Sequence, residues 1–464
     1  NVTALHTDNH AFAFLANGDL LVGQDGGINR SSNGGDTWTR QNAGLAITQL
    51  YAGISIHPGQ ANFILGGFQD NGTNLRGATN SAWRRVLGGD GGYTALHPLD
   101  PMVMFAEIYD ATNLYRSTNA GQSFQPASNG ISGNDRTAFY DLIVATPDDP
   151  KTLLLATHRV YKSTNQGTSW TPISGDLTGG APAAIRALAV APTNAQIVWA
   201  ATNDDRVLVS TNGGVNFTRK LDAPGWKRVT REIAIAPWDD KVAFVAVPRF
   251  GVDQVRMTKN LGDAWTGIDG DLPDVPANTV DAAVVGGQQM IFVGTDRGVY
   301  FSCNEGQHWA LLGQALPNTM VSDVRYDATF KRVIASTMGR GVWSIEEPTA
   351  ANCTGPGGID AGGAGGAGGQ DGGGQGGVAG GAGGTSGGTS GVGGASTASG
   401  GGVGAGGATS GDGGAKGGAG NLGIGTTGED SGCACSVASS RGQTAVTLIG
   451  LGTVAAFMRR RRRS

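Results

Sequence analysis

Carboxylate, amide and imidazole side chains recur at two kinds of position in this chain: just before one apolar, β-rich segment and just after the next. In the first 110 residues these side chains are His6, Asp8, His10, Asp25, Gln69, Asp70, Asn71, Asp90 and Asp110. In two antiparallel neighbouring strands, the start of the first and the end of the second lie at the same edge of the sheet. We therefore expect these side chains to converge on one face of the fold.

Three kinds of chemistry are compatible with such a face. The one we favour is turn formation, because Asp-Gly or Asn-Gly pairs at 25–26, 71–72 and 90–91 are strong turn signals. The second is glycoside hydrolysis, which needs two carboxylates about 5 to 10 Å apart, one of them acting as an acid. The candidate catalytic pairs are Asp8 with Asp90, and Asp25 with Asp70.

The third kind of chemistry is metal binding. Asp and Asn oxygens suit calcium, which is the candidate cofactor. The run His6-x-Asp8-x-His10 places alternate side chains on one strand face and would suit a transition metal. Other polar side chains of this face are candidate binding residues, namely His6, His10, Gln69, Asn71 and Asp110. All three alternatives stay open at this point.

A repeated turn predicts the elements that position these residues. The pattern Ser/Thr-x-Asn-x-Gly-x-x-Trp/Phe begins at residues 31, 117, 163, 210, 258 and 302, and a degenerate copy occupies 77–83. Its aromatic residues recur every 41 to 48 residues, which indicates one supersecondary unit per repeat. The Asn and aromatic positions of the clear copies are Asn33, Trp38, Asn119, Phe124, Asn165, Trp170, Asn212, Phe217, Asn260, Trp265, Asn304 and Trp309.

Each repeat is predicted to contain four short antiparallel strands. In residues 139–172 the predicted strands are Phe139–Thr146, Thr152–Thr157, Val160–Ser163 and Ser169–Pro172. Four such strands per repeat, stacked radially, make an all-β fold, the β-propeller. The sequence predicts seven complete blades and a partial one after Trp309. Two explanations of the partial blade remain open. Residues 1–6 could supply its fourth strand and close an eight-bladed ring, or the chain is the C-terminal part of a larger propeller protein.

The repeated turn is predicted to be structural. Its Asn side chain can bond backbone amides two residues on, its Ser or Thr can do so more weakly, and its Gly permits a positive φ. The aromatic residue is expected to enter the fourth strand and to pack between neighbouring sheets. Asn replaces Asp at the third position of all six clear copies, which argues against metal binding or catalysis within the turn.

The repeated turn resembles the Asp-box, or BNR, repeat of sialidases, sortilin and xyloglucan-degrading glycoside hydrolases. The segments HTDNHAFAF at 6–14, GGFQDNGTNL at 66–75 and GGDGG at 88–92 are similar to those of exported bacterial BNR proteins described as sortilin-like or glycosyl-hydrolase-like. The resemblance covers about residues 1–347. It implies a secreted propeller that binds or cuts an extracellular polymer, and a further length of propeller before residue 1.

Composition separates the propeller from the C-terminal part of the chain. Most of the excess among the 81 glycines lies after Cys353, so residues 1–350 are predicted to be the propeller and 351–432 a disordered Gly/Ala/Ser/Thr-rich linker. The net charge of −4 gives no sign of a nucleic-acid partner. The sequence leaves open whether Cys303 and Cys353 form a disulfide.

Residues 433–464 are predicted to be a sorting signal. Two cysteines, Cys433 and Cys435, precede an apolar run at 444–458 and five arginines at 459–463. This order resembles the MYXO-CTERM signal of myxobacteria. The resemblance implies that the apolar segment lies transiently in the inner membrane and that a cysteine carries the surface attachment. The implied partners are the export and sorting machinery, and the implied location is the cell surface or outer membrane.

The function predicted from these features is a surface-displayed propeller that binds an extracellular glycan or protein. A glycoside hydrolase acting through paired Asp carboxylates is the first alternative. A sortilin-like protein-binding propeller is the second.

Overall fold

A computed structural model describes residues 5–51, 53–79, 82–139, 142–222, 232–313 and 315–349. These residues form eight antiparallel sheets, seven with four strands and one with three, which we number sheet 1 to sheet 8 in chain order. The fold is thus an all-β propeller, as predicted. No helix within these ranges is long and apolar enough to cross a membrane, and the predicted linker and sorting signal lie outside them.

The strands of the first four sheets follow one another along the chain. Sheet 1 contains β1 (Asn9–Phe14), β2 (Leu20–Gln24), β3 (Gly27–Ser31) and β4 (Thr39–Arg40). Sheet 2 contains β5 (Ser55–Ile56), β6 (Ile64–Phe68), β7 (Gly72–Arg76) and β8 (Trp83–Leu87). Sheet 3 contains β9 (Gly91–Leu96), β10 (Met104–Ile108), β11 (Asp110–Ser117) and β12 (Gln125–Pro126). Sheet 4 contains β13 (Ile143–Ala145), β14 (Leu153–Ala156), β15 (Val160–Ser163) and β16 (Thr171–Pro172).

The remaining sheets repeat the plan. Sheet 5 contains β17 (Ile185–Ala191), β18 (Asn194–Thr202), β19 (Arg206–Ser210) and β20 (Thr218–Asp222). Sheet 6 contains β21 (Glu232–Ile235), β22 (Ala243–Ala246), β23 (Val255–Thr258) and β24 (Thr266–Gly267). Sheet 7 contains β25 (Ala277–Val285), β26 (Gln288–Thr295), β27 (Gly298–Ser302) and β28 (Ala310–Leu312). Sheet 8 contains β29 (Val321–Asp327), β30 (Arg332–Thr337) and β31 (Gly341–Glu346).

The ring closes between sheet 8 and sheet 2. Asp323 on β29 accepts hydrogen bonds from the backbone N–H groups of Gly53 and Ile54, at 2.9 and 3.0 Å. Ile334 of sheet 8 shares a core cluster with apolar residues of sheet 2 and of the segment before it. Seven sheets therefore form the ring. The alternative of a closed eight-bladed ring is therefore wrong. Sheet 1 lies outside the ring, and the described residues give sheet 8 no fourth strand.

The hydrophobic core of the ring is divided among its seams. Each of the seven pairs of neighbouring sheets shares one buried cluster. At six of these seams the aromatic residue of the repeated turn, or Trp83 of the degenerate copy, packs against the preceding sheet. Trp170 shows the geometry, since its indole N–H donates to Ala127 O of sheet 3 at 2.8 Å. Trp38 belongs to none of these clusters, because sheet 1 has no neighbour of this kind.

The six clear turns share one hydrogen-bond pattern and connect the third strand of each sheet to the fourth. In the turn at 163–170, Ser163 Oγ accepts from the backbone N–H of Gly167 at 2.8 Å. Asn165 Oδ1 accepts from the backbone N–H of Ser169 at 3.0 Å, four residues on. The expected Asn bond two residues on is therefore not formed, and the hydroxyl has the larger role. The aromatic residue directly precedes the short fourth strand instead of lying in it.

Candidate functional site

One face of the ring collects the starts of the first strands and the ends of the second strands, and we call it the upper face. Sheet 1 meets the upper face at a junction between two tight turns. The β2–β3 turn of sheet 1 presents Asp25 O, which accepts from Asn71 Nδ2 at 3.1 Å. The β6–β7 turn of sheet 2 presents Asp70 O, which accepts from His6 Nε2 at 2.9 Å.

The local sequence explains the β6–β7 turn. Asp70 and Gly72 both have positive φ, 58° and 73°, and these values suit Asp and Gly in a tight turn. A Cβ on Gly72 would lie 2.2 Å from Leu87 O, so a larger residue does not fit. Asp90, just before β9, accepts the backbone N–H of Asp70 at 2.6 Å and fixes the turn against sheet 3. Turn formation therefore accounts for part of the polar character of this face.

Three predicted catalytic carboxylates meet at this junction. Burial, together with the negative charges of Asp90 and Asp25, raises the pKa of Asp70 to about 6. The carboxyl group of Asp70 is therefore protonated in weakly acidic solution. A carboxyl pKa raised by burial and by neighbouring negative charges is found both at acid–base sites and in structural clusters.

Two histidines and Asp8 border the same junction. His10 Nε2 lies 2.6 Å from Asp25 Oδ1. His6 Nδ1 lies 4.0 Å from Asp8 Oδ2. Among the described residues, His6, Asp8 and Asp25 are the group of three whose ligand atoms lie close enough, within 4.8 Å of one another, to hold a metal ion.

The other predicted site residues lie in a neighbouring turn or beyond the described part of the chain. Gln69 lies in the β6–β7 turn and donates its backbone N–H to Gln49 O at 3.0 Å. Asp110 begins β11, but its side chain lies outside the described part of the structure. The predicted surface cysteines, Cys433 and Cys435, lie outside it as well. Cys303 is disulfide-bonded, and Cys353, whose pairing with it the sequence left open, is not among the described residues.

An aromatic cluster on the upper face was not predicted from the sequence. The Phe139 ring lies 6.1 Å from the Tyr51 ring and 6.2 Å from the Tyr109 ring, between centroids. Phe139 is 55% exposed and Tyr109 is 46% exposed. These residues occupy the same two kinds of strand position as the polar ones, so the same reasoning, applied to aromatic residues, would have found them.

One turn of the aromatic cluster approaches one turn of the junction. Gly89 lies against Ile108, because a Cβ on Gly89 would be 2.7 Å from Ile108 Cγ2. Gly89 precedes Asp90, and Ile108 precedes Tyr109. The β8–β9 turn, which carries Asp90, and the β10–β11 turn, which carries Tyr109, therefore lie close together on the upper face.

A cavity of about 400 Å³ lies along the inner strands of the ring. Arg325 and Glu232 both line it, and Arg325 pairs with Glu232 Oε1 at 2.6 Å and with Asp323 Oδ1, on its own strand, at 3.1 Å. Burial raises the pKa of Glu232 to about 8, against the opposing effect of Arg325. Glu232 and Arg325 were not among the predicted site residues, because their meeting depends on how sheets 6 and 8 face each other.

Comparison with known proteins supports the propeller class. No family model and no curated protein matches the chain. Among solved structures, an ancestral GH74 enzyme matches 66% of this chain and 47% of its own, at 17% identity and a TM-score of 0.52. YCF48 from Cyanidioschyzon merolae matches over 66% of this chain and 97% of its own, at 12% identity and a TM-score of 0.50.

These similarities show the fold alone. The chain is a β-propeller built from Asp-box-like repeats, similar to the propellers of GH74 enzymes and of YCF48. The aligned part spans about half the length of the ancestral GH74 enzyme.

Proposed function

We propose that this protein binds a neutral extracellular polysaccharide on its upper face. The observation that carries the proposal is the cluster of Tyr51, Tyr109 and Phe139, two of whose rings are exposed, on the same face as the carboxylates of the junction. Aromatic rings offer flat apolar surfaces at a low cost in conformational entropy, and a sugar ring can stack on them through its C–H groups. Neighbouring carboxylates accept hydrogen bonds from sugar hydroxyl groups.

The charge of this face favours a neutral polymer over an acidic one. Asp25 and Asp90 both lie near Asp70 on this face, and the net charge of the chain is −4. An anionic polymer would be repelled at this face at low ionic strength. The similarity to a GH74 enzyme extends only to the fold and does not identify the polymer.

The test is affinity electrophoresis of the full chain in gels containing xyloglucan, glucomannan or alginate. We expect retardation by a neutral polymer, a loss of at least tenfold in affinity in Phe139→Ala and Tyr109→Ala, and no retardation by alginate. Phe14→Ala is the matched control, because Phe14 is 80% exposed at the far end of β1. Equal binding by Phe139→Ala and the wild type would refute the proposal.

Glycoside hydrolysis is the second candidate, because three predicted carboxylates converge on the same face as the aromatic cluster. In that case the wild type should release reducing sugar from the polymer that it binds. Asp70→Asn and Asp90→Asn should abolish the release but leave the retardation in the gel intact. Retardation without release of reducing sugar identifies a binding protein. If neither is found while a peptide library yields ligands, the sortilin-like alternative replaces both.

We also propose surface display through the C-terminal segment, on the basis of its cysteine, apolar and arginine order alone. Wild-type chain should be recovered from the outer surface of cells by added protease. A Cys433→Ser, Cys435→Ser double variant should instead appear in the medium or remain in the inner membrane.

A further inference from the structure

Three acceptor atoms face one another where sheet 1 meets the ring. They are His6 Nδ1 and one carboxylate oxygen each from Asp8 and Asp25, all within 4.8 Å of one another. They come from two separate segments, the approach to β1 and the β2–β3 turn. The backbone bond from Asp25 N to Asp8 O, at 3.3 Å, holds these two segments together.

The hydrogen bond of His6 Nε2 determines the tautomer of the neutral His6 ring. His6 Nε2 lies 2.9 Å from Asp70 O, and a carbonyl oxygen only accepts hydrogen bonds. The proton of a neutral His6 therefore sits on Nε2, and Nδ1 presents a lone pair. This Nδ1 is buried and has no hydrogen-bond partner in the described part of the chain.

The alternative, a charged imidazolium paired with Asp8, does not fit the distance. A charge-assisted N–H to carboxylate bond is about 2.7 to 2.9 Å long. The 4.0 Å between His6 Nδ1 and Asp8 Oδ2 is too long for such a bond. His6 Nδ1 thus presents a lone pair toward two carboxylates, of which that of Asp25 also has a partner in His10 Nε2, at 2.6 Å. A cation is the species that would satisfy the lone pair and both carboxylates together.

The donor set selects the kind of cation. Imidazole nitrogen with carboxylate oxygen suits zinc and neighbouring first-row ions, whereas calcium and magnesium prefer oxygen alone. Ligand atoms of a tetrahedral zinc site lie about 3.5 Å apart, given bonds of about 2.0 to 2.2 Å. The 4.0 Å between His6 Nδ1 and Asp8 Oδ2 requires only a small inward movement of the exposed Asp8 side chain.

The surroundings resemble those of metal-binding histidines in general. Such histidines usually donate their second N–H to a carbonyl or carboxylate, as His6 does to Asp70 O. His10, 2.6 Å from Asp25 Oδ1, stands beside the group as an orienting partner or a fourth donor. We propose that His6, Asp8 and Asp25 bind one divalent first-row transition-metal ion, for which Zn²⁺ is the probe, at the junction between sheet 1 and the ring.

A bound ion would restrain the position of sheet 1. His6 is bonded to Asp70 of sheet 2, and Asp25 O is bonded to Asn71 of the same turn. An ion held by His6 and Asp25 would therefore fix sheet 1 against the upper face. The proposal does not depend on polysaccharide binding, and the two can fail separately.

The test is isothermal titration of the chelator-treated full chain with ZnCl₂, with CaCl₂ as a separate arm. We expect one Zn²⁺ per chain, no comparable Ca²⁺ binding, and at least tenfold weaker Zn²⁺ binding in His6→Ala and in Asp25→Asn. His308→Gln is the matched control, because His308 also pairs with a carboxylate, that of Asp271, but lies far along the chain in sheet 7. Its Zn²⁺ affinity should equal that of the wild type.

Two further measurements keep the proposal falsifiable. If His6→Ala fails to fold, Asp8→Asn replaces it, since the Asp8 side chain is 59% exposed. Bound Co²⁺ should give visible absorption bands that disappear in the same variants. Absence of stoichiometric Zn²⁺ binding, preference for Ca²⁺, or binding unchanged in His6→Ala and Asp25→Asn would each overturn the proposal.

Discussion

At the scale of the residue, the repeated turn is stabilised by two short side chains. The hydroxyl of Ser or Thr at the first position of the turn accepts backbone N–H groups. The Oδ1 of Asn at the third position accepts one further backbone N–H. Where that N–H belongs to a Ser or Thr, Asn Nδ2 also donates to its hydroxyl. In the turn at 163–170 that onward bond runs from Asn165 Nδ2 to Ser169 Oγ, at 2.9 Å. An Asn at this position serves as a donor and an acceptor at once, which explains why no charged residue is needed.

Asn165→Ala should lower the free energy of unfolding by about 1 to 2 kcal/mol, because the backbone N–H of Ser169 loses its acceptor. Asn165→Asp keeps the acceptor and should cost less. Urea denaturation of both variants checks the prediction. Equal losses in the two variants would show that the acceptor is not what matters.

Glu232 makes the stability of the ring depend on pH. Its pKa in the folded chain is about 8, against about 4.5 when exposed, so the folded state holds one proton more between these values. The free energy of unfolding should therefore fall as pH rises from about 5 to 8, by up to about 1.4 kcal/mol per pH unit from this group.

Glu232→Gln cannot titrate and should show a flatter dependence in the same window, measured by chemical denaturation at several pH values. Gln keeps an oxygen for Arg325 and nearly the same volume. An unchanged slope in Glu232→Gln would mean that another buried carboxyl group, such as Asp323, dominates.

At the scale of the element, neighbouring sheets approach so closely at some points that a side chain is excluded. Gly67 on β6 faces the start of β9, and a Cβ there would lie 2.1 Å from Gly92 O and 2.3 Å from Gly91 O. Neither oxygen can move without displacing a strand. Glycine in the sequence GGF at 66–68 marks this contact, but the sequence alone does not distinguish such a glycine from a turn glycine.

Gly67→Ala should therefore destabilise the ring by more than about 2 kcal/mol, because backbone atoms of sheets 2 and 3 must separate. Gly88→Ala is the control, since a Cβ on Gly88 meets nothing within 4 Å. Thermal unfolding followed by circular dichroism compares the two. Similar midpoints for Gly67→Ala and Gly88→Ala would show that the close approach is relaxed in solution.

The predicted strands match the observed ones best where turns define them. Thr152–Thr157 and Val160–Ser163 were predicted, and β14 and β15 occupy Leu153–Ala156 and Val160–Ser163. The predicted Phe139–Thr146 strand shortens to Ile143–Ala145. Phe139 instead joins the exposed aromatic cluster with Tyr51 and Tyr109. Apolar residues suit a strand and an exposed platform equally well, so local pattern could not decide between them.

At the scale of the whole molecule, sheet 1 differs from the sheets of the ring in how much of it is buried. No core cluster of the described residues includes a residue of sheet 1. All six residues of β1 are exposed, including Phe12 and Phe14. The ring, in contrast, closes on itself through Asp323 and the cluster around Ile334.

Removal of residues 1–44 should therefore leave a ring that unfolds cooperatively, with a midpoint within a few degrees of that of the full chain. Asp323→Ala in the full chain should lower the midpoint much more, because it leaves two buried N–H groups without their acceptor and removes one of the two carboxylates paired with Arg325. Calorimetry of both proteins checks this. A truncated chain that fails to fold would show that sheet 1 is part of the cooperative unit.

The sequence by itself determined the repeat, the residue types that form its turn, the count of sheets and the polar residues at the strand ends. These features depend on contacts between residues near in the chain, which residue type and spacing record directly. Only the tertiary structure decided that sheet 1 lies outside the ring, that sheet 8 closes on sheet 2, and that His6 and Asp25 meet the turn of Asp70. The physical reason is that sheets with the same pattern are interchangeable locally, and their seams are chosen by side-chain fit between residues hundreds of positions apart.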